Sequence, residues 1–138
     1  MKKTPVLAAG ALLALLCMAA HGASLTPPPA WSDGTLIGPG RPAGELVKAT
    51  FSYDANTKRL KFVLGGKTVE MTVGSKSAKV NGHPTTLPVA PKVLNGTTYV
   101  PLKNLFLGLG LEIKPNGATQ WIVCTGQSCI PLQVPPKP

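Results

Sequence analysis

Apolar and polar residues alternate along the chain from Val47 onward. The alternation is clearest in residues 59–64 and 67–73, where the apolar positions are Leu60, Phe62 and Leu64, followed by Val69, Met71 and Val73. A period of two is typical of a strand with one buried and one solvated face. The pattern therefore predicts antiparallel strands joined as hairpins.

Turn signals separate these segments. Asn-Gly pairs at 81–82, 95–96 and 116–117 tolerate the positive φ angles that tight hairpin turns require. One helix is predicted within residues 102–110, and Gly108 and Gly110 limit it to about two turns. The predicted fold class is mainly β, a small antiparallel sheet or partly open barrel of hairpins with one short helix.

The residues before Val47 lack this periodicity. Residues 24–46 contain five prolines and four glycines, which predicts an extended, mostly irregular linker. Trp31 is the exception, and we expect it to dock on the domain. The predicted domain then covers residues 47–133, and residues 134–138 form a short extended tail.

The first residues have the features of a secretory signal peptide. Lys2 and Lys3 precede an apolar run, and small residues follow near Ala20, so we expect cleavage between Ala20 and Ser24 and a signal peptide over residues 1–23. The apolar run is shorter than the ~20 residues that span a bilayer. A lipoprotein that uses Cys17 is the alternative, which the bulky Leu16 disfavours. The expected location is exported: periplasmic, cell-surface or secreted.

The charge balance indicates the class of partner. The chain has 14 Lys and Arg against 5 Asp and Glu, and without Lys2 and Lys3 the balance is 12 against 5. Outside a cell, a basic domain favours wall polymers, lipid head groups or polysaccharide. Because the lysines are scattered singly, solubility is the alternative explanation. The candidate polymer-binding residues are Lys61, Lys67, Lys79 and Lys103.

Two cysteines remain after the predicted cleavage, Cys124 and Cys129. Short β-prone segments flank the turn between them, so the two side chains are expected to face each other across a hairpin and form a disulfide. A zinc site needs about four ligands, and the sequence offers neither a second cysteine pair nor a second histidine after the leader.

Several short motifs resemble a known family. Val80, Asn81 and Gly82 form a "VNG" turn, Ala90 and Pro91 precede a strand, and "NGTTYVPL" at 95–102 is followed by Gly110. Together they resemble the copper amine oxidase N-terminal-like domain, or stalk domain, over about residues 47–124. Lys103 stands where that family usually has arginine. The resemblance implies a non-catalytic appendage rather than the oxidase itself.

The side chains available for catalysis also indicate a non-catalytic domain. His83, interpreted as a surface turn residue, is the one candidate base, and the five carboxylates are expected in the linker, at turns or on solvated faces. We therefore expect no enzyme activity, no cofactor and no metal.

The predicted function is an exported binding or stalk module of the cell envelope that contacts anionic polymers through a basic face. The alternative is a protein–protein interaction module that uses sheet edges or exposed Trp31 and Trp121. The partner itself stays open, and no nucleic acid is expected.

Overall fold

The computed structural model describes residues 24–126 and 128–138, and the predicted signal peptide lies outside them. The described residues form twelve strands and two helices. The strands are β1 (Ala30–Ser32), β2 (Thr35–Pro39), β3 (Thr50–Asp54), β4 (Arg59–Leu64), β5 (Lys67–Thr72), β6 (Ser77–Val80), β7 (His83–Thr86), β8 (Lys92–Leu94), β9 (Thr97–Pro101), β10 (Glu112–Pro115), β11 (Gln120–Cys124) and β12 (Cys129–Gln133). The helices are α1 (Gly40–Leu46) and α2 (Leu102–Gly108).

The strands form three antiparallel sheets. The largest has the order β3-β4-β5-β6-β7, the second β1-β2-β9-β8, and the third β10-β11-β12. Each of the first and third is a meander of sequential hairpins, whereas the second joins the N-terminal strands β1 and β2 to β8 and β9 from the middle of the chain. The predicted mainly β, antiparallel fold is confirmed.

The alternation read from the sequence corresponds to burial in the five-stranded sheet. Leu60 and Phe62 of β4 face Met71 and Val69 of β5 in register, and all four are buried. Lys61, between the first two, is exposed. The apolar side chains pack beneath α2, whose buried Leu102, Leu105 and Phe106 belong to the same core.

Two of the predicted Asn-Gly turns have the expected backbone. The loop between β6 and β7 has φ of 54° at Asn81 and 83° at Gly82, and the loop between β8 and β9 has 52° at Asn95 and 80° at Gly96. Positive φ at both central residues matches the twist of a two-residue hairpin. Asn81 also accepts a hydrogen bond at Oδ1 from the Thr68 N–H, at 2.8 Å, which ties this turn to β5.

The structure corrects the interpretation of residues 24–46 as an irregular linker. The segment contains β1, β2 and α1, and β2 lies between β1 and β9 inside its sheet. Two of its prolines sit at the start of α1: Pro39 precedes the helix and Pro42 lies in the first turn, where the backbone N–H has no helical partner.

Two glycines of the same segment, Gly40 and Gly44 of α1, serve packing rather than flexibility. A Cβ on Gly40 would lie 3.3 Å from Phe62 Cζ, and one on Gly44 would lie 3.4 Å from Phe62 Cδ2. Because Gly40 and Gly44 have no Cβ atom, α1 can lie directly on the Phe62 ring. Helix α1 was not predicted, so the described residues contain two helices instead of one. Neither is long and apolar enough to cross a membrane.

Trp31 and the C-terminal tail pack on the domain. The Trp31 Nε1–H donates to the Pro135 carbonyl oxygen at 2.8 Å, and the Val134 N–H donates to the Thr119 oxygen at 3.0 Å. Val134 is buried. The expected docking of Trp31 is confirmed, and the tail follows the domain surface at least as far as Pro135.

Close packing of α2 gives a testable prediction at Gly108. A Cβ there would lie 2.6 Å from Val69 Cγ2, so alanine forces a shift. Overpacking lowers the free energy of unfolding by about 1–3 kcal/mol. The better helix propensity of alanine raises it by less than about 1 kcal/mol at a helix end. We expect Gly108→Ala to lower the free energy of unfolding by about 1 kcal/mol, measured by urea denaturation.

The matched control is the same change in a Val69→Ala background. Removing the Val69 methyl groups opens the space that the new Cβ needs, so there Gly108→Ala should cost nothing or stabilise the domain. An equal cost of Gly108→Ala in both backgrounds would contradict the contact.

Candidate functional site

The lysines lie on the outside of the domain. All ten lysines of the described residues are exposed, and so are Arg41 and Arg59. Of the four candidate polymer-binding lysines, Lys61 on β4 and Lys79 on β6 lie on the outer face of the five-stranded sheet. Both pair in register with Glu70 of β5, so the Glu70 side chain leaves the same face of the sheet between those of the two lysines.

The other two candidates lie elsewhere. Lys67 is two residues before buried Val69 in β5, so its side chain leaves the sheet on the opposite face from Lys61. Its Cε would lie 3.5 Å from a Cβ on Gly110. Lys103 lies on α2. The structure therefore does not gather the four lysines into one basic face, and a role for each in polymer binding stays a prediction.

The outer face of the five-stranded sheet has mixed charge. A shallow groove of about 220 Å³ there is lined by Arg59, Glu70 and Lys79, among others. Asp54 pairs with Arg59 in register. Cations and carboxylates alternate across the strands, which leaves this face with only a small positive excess.

A second groove combines aromatic rings with positively charged side chains. It is about 310 Å³ in volume, and we call it the tryptophan groove, lined by Trp31, Lys103, Asn104, Trp121 and Lys137, together with Gly34, Thr35, Leu36 and Pro88. The two indole rings have centroids 6.2 Å apart and planes at 66°. Lys137 Nζ lies 5.5 Å from the Trp31 ring centroid. The lining residues include no Asp or Glu.

Distant parts of the chain build the tryptophan groove. Trp31 comes from β1, at the edge of the four-stranded sheet, and Trp121 from β11, the middle of the three-stranded sheet. Lys103 projects from α2, and the hydrogen bond from Trp31 to Pro135 holds the tail that carries Lys137. Both tryptophans were singled out in the sequence, but their meeting was not predictable because about ninety residues separate them.

A third groove, of about 320 Å³, lies beside α1. Arg41 Cζ stacks 4.8 Å from the Phe51 ring centroid, and Tyr53, 44% exposed, forms part of the wall. Arg41 is the one cationic residue among those that line this groove, whereas two lysines line the tryptophan groove.

The predicted disulfide is confirmed. Cys124 of β11 and Cys129 of β12 are partners in the hairpin register and are joined by an S–S bond of 2.06 Å. The Thr125 N–H donates to the Ser128 oxygen at 2.8 Å, which closes the loop beside the bridge. The disulfide therefore fixes the turn end of this hairpin.

The described residues hold no group of three or more His, Cys, Asp or Glu side chains that could bind a metal ion. His83, at the start of β7, is exposed, and both cysteines are in the disulfide. A copper site built from several histidines does not fit this donor set.

A search of curated proteins found no match. Residues 19–124 match the family model for the copper amine oxidase N-terminal domain, which includes both the motif region and the segment 24–46. The matched domain is a non-catalytic module of the oxidase. Since the match covers more than half of the chain, this protein belongs to the copper amine oxidase N-terminal domain family.

Proposed function

We propose that this protein is an exported, non-catalytic binding module that contacts anionic polymers of the cell envelope. The observation that carries the proposal is the exposure of every lysine in the described residues, on several faces of a domain with 12 cations and 5 carboxylates after the leader. Charges distributed in this way suit a long polyanion, which can touch several faces at once, better than a small ligand.

Two features support the proposed location. The first residues read as a signal peptide. The Cys124–Cys129 disulfide fits an oxidising compartment, where such bonds persist. Membership of a family of non-catalytic modules supports the absence of an enzymatic role.

A protein–protein contact is the second candidate, and one observation favours it. Strand β8 is an edge of its sheet, and its Val93 and Leu94 are 52% and 37% exposed. An unpaired edge with apolar side chains can accept a strand from a partner. Such an interface would depend on backbone hydrogen bonds and apolar contact, so salt would affect it little.

A salt gradient separates the two candidates. The purified protein lacking residues 1–23 is immobilised and exposed to envelope extract at low salt. For polymer binding, we expect the apparent affinity to fall by about tenfold or more between about 0.05 and 0.5 M NaCl, because salt screens exposed charges. Retention of a protein but no polymer at high salt would refute the proposal in favour of the β8 interface.

A further inference from the structure

We propose that the tryptophan groove is a binding site for an acidic saccharide, a sugar ring that carries a carboxylate or phosphate. The inference rests on the proposed function and names the unit of the anionic polymer that the protein recognises. Among the grooves described above, this one combines two indole rings and two ammonium groups with no lining carboxylate.

The aromatic rings provide the surface for the sugar. A pyranose ring has an apolar face of C–H groups, which packs on a flat aromatic ring, while its hydroxyl groups point sideways. Lys137 already lies over Trp31, so Trp121 provides the stacking surface. Asn104 and Thr35, in the same wall, can exchange hydrogen bonds with the hydroxyl groups.

The lysines select for negative charge. Lys103 and Lys137 are both exposed and line the same groove, so an anionic substituent on the stacked sugar meets two ammonium groups. Lys61 and Lys79 differ, because each has Glu70 as its neighbour in register. A negatively charged substituent therefore gains more binding free energy in the tryptophan groove than on the outer sheet face.

The groove is held in place before a ligand binds. The edge-to-face contact fixes the two indoles relative to each other, and the Trp31 hydrogen bond holds the tail at Pro135. Its volume of about 310 Å³ lies at the lower end of small-molecule sites, roughly 300–1,000 Å³. A site of this size takes a short unit of a polymer.

Intrinsic fluorescence reports directly on this site, because both tryptophans of the protein line it. Three probes are titrated: a tetragalacturonate, which has rings and carboxylates; maltotetraose, which has rings without charge; and polyglutamate, which has charge without sugar rings. We expect a saturable emission change with tetragalacturonate, and a much weaker response to each of the other two.

Two matched double variants locate the binding. Lys103→Gln with Lys137→Gln should raise the Kd for tetragalacturonate about tenfold, the combined effect of two exposed ion pairs. Lys61→Gln with Lys79→Gln removes the same charge from the outer sheet face and should change the Kd less than about twofold. Both variants alter only exposed side chains, so urea denaturation should show native stability.

The outcomes separate the site from the function. An unchanged emission spectrum, or equal weakening by both double variants, while the protein still sediments with envelope polymer, would overturn the site and leave the proposed function standing. A specific emission change with tetragalacturonate, but no binding to envelope polymer at low salt, would uphold the site and refute the polymer-binding function.

Discussion

A variant lacking residues 24–46 is expected to lose cooperative folding. The deletion removes β1, β2 and α1, so β9 loses its pairing with β2 and the Phe62 ring loses the cover of α1. Burial of Leu36 and Ile37 alone contributes about 3–6 kcal/mol. Domains have only about 5–15 kcal/mol of total stability, so the rest of the chain cannot compensate.

Urea denaturation and near-ultraviolet circular dichroism measure this effect. The matched control is a chain truncated after Pro135, which removes only the exposed residues 136–138 and should unfold like the full protein. If the variant without residues 24–46 kept a native near-ultraviolet spectrum and a sharp unfolding transition, the segment would be a linker after all.

Replacing Phe62 by alanine is expected to lower the free energy of unfolding by about 3–5 kcal/mol. The ring is 0% exposed, packs at 5.0 Å from the Phe51 centroid, and lies against Gly40 and Gly44. The cavity lies between α1 and the five-stranded sheet, where backbone on both sides limits collapse.

The control for this substitution is Tyr53→Ala on the neighbouring strand. Tyr53 is 44% exposed, so its truncation should cost less than about 1 kcal/mol in the same urea titration. Comparable losses from the two variants would mean that Phe62 is not the centre of this core.

Sequence reasoning predicted the local part of the fold. The hairpins β4-β5, β6-β7 and β8-β9 depend on alternation over a few residues and on Gly-Gly or Asn-Gly turns, both of which are visible in a short window. The segment 24–46 was misread because its order comes from distant partners: Ile37 pairs with Pro101 and Gly40 packs on Phe62. Short strands and packing glycines leave no periodic signal, so their composition resembles that of a linker.

In the candidate site, too, features set by local sequence were predictable and features set by distant residues were not. The disulfide was predictable because the cysteines are close in sequence and flank a turn. The placement of Lys67 was also predictable in part, since the period that buries Val69 sends Lys67 to the same face. The position of Glu70 between Lys61 and Lys79 depends on strand register, and the tryptophan groove depends on contacts among two sheets, a helix and the C-terminal tail, which no local pattern encodes.

Co-sedimentation with protein-free envelope tests the central claim most directly. Envelope fragments are treated with protease and divided, and the anionic polymers are extracted from one half. We expect the protein to sediment at low salt with the half that keeps its polymers and to dissociate from it at high salt. With the extracted half, the protein should stay in solution. Equal binding to both halves, or no binding to the protease-treated half that keeps its polymers, would contradict recognition of an anionic polymer.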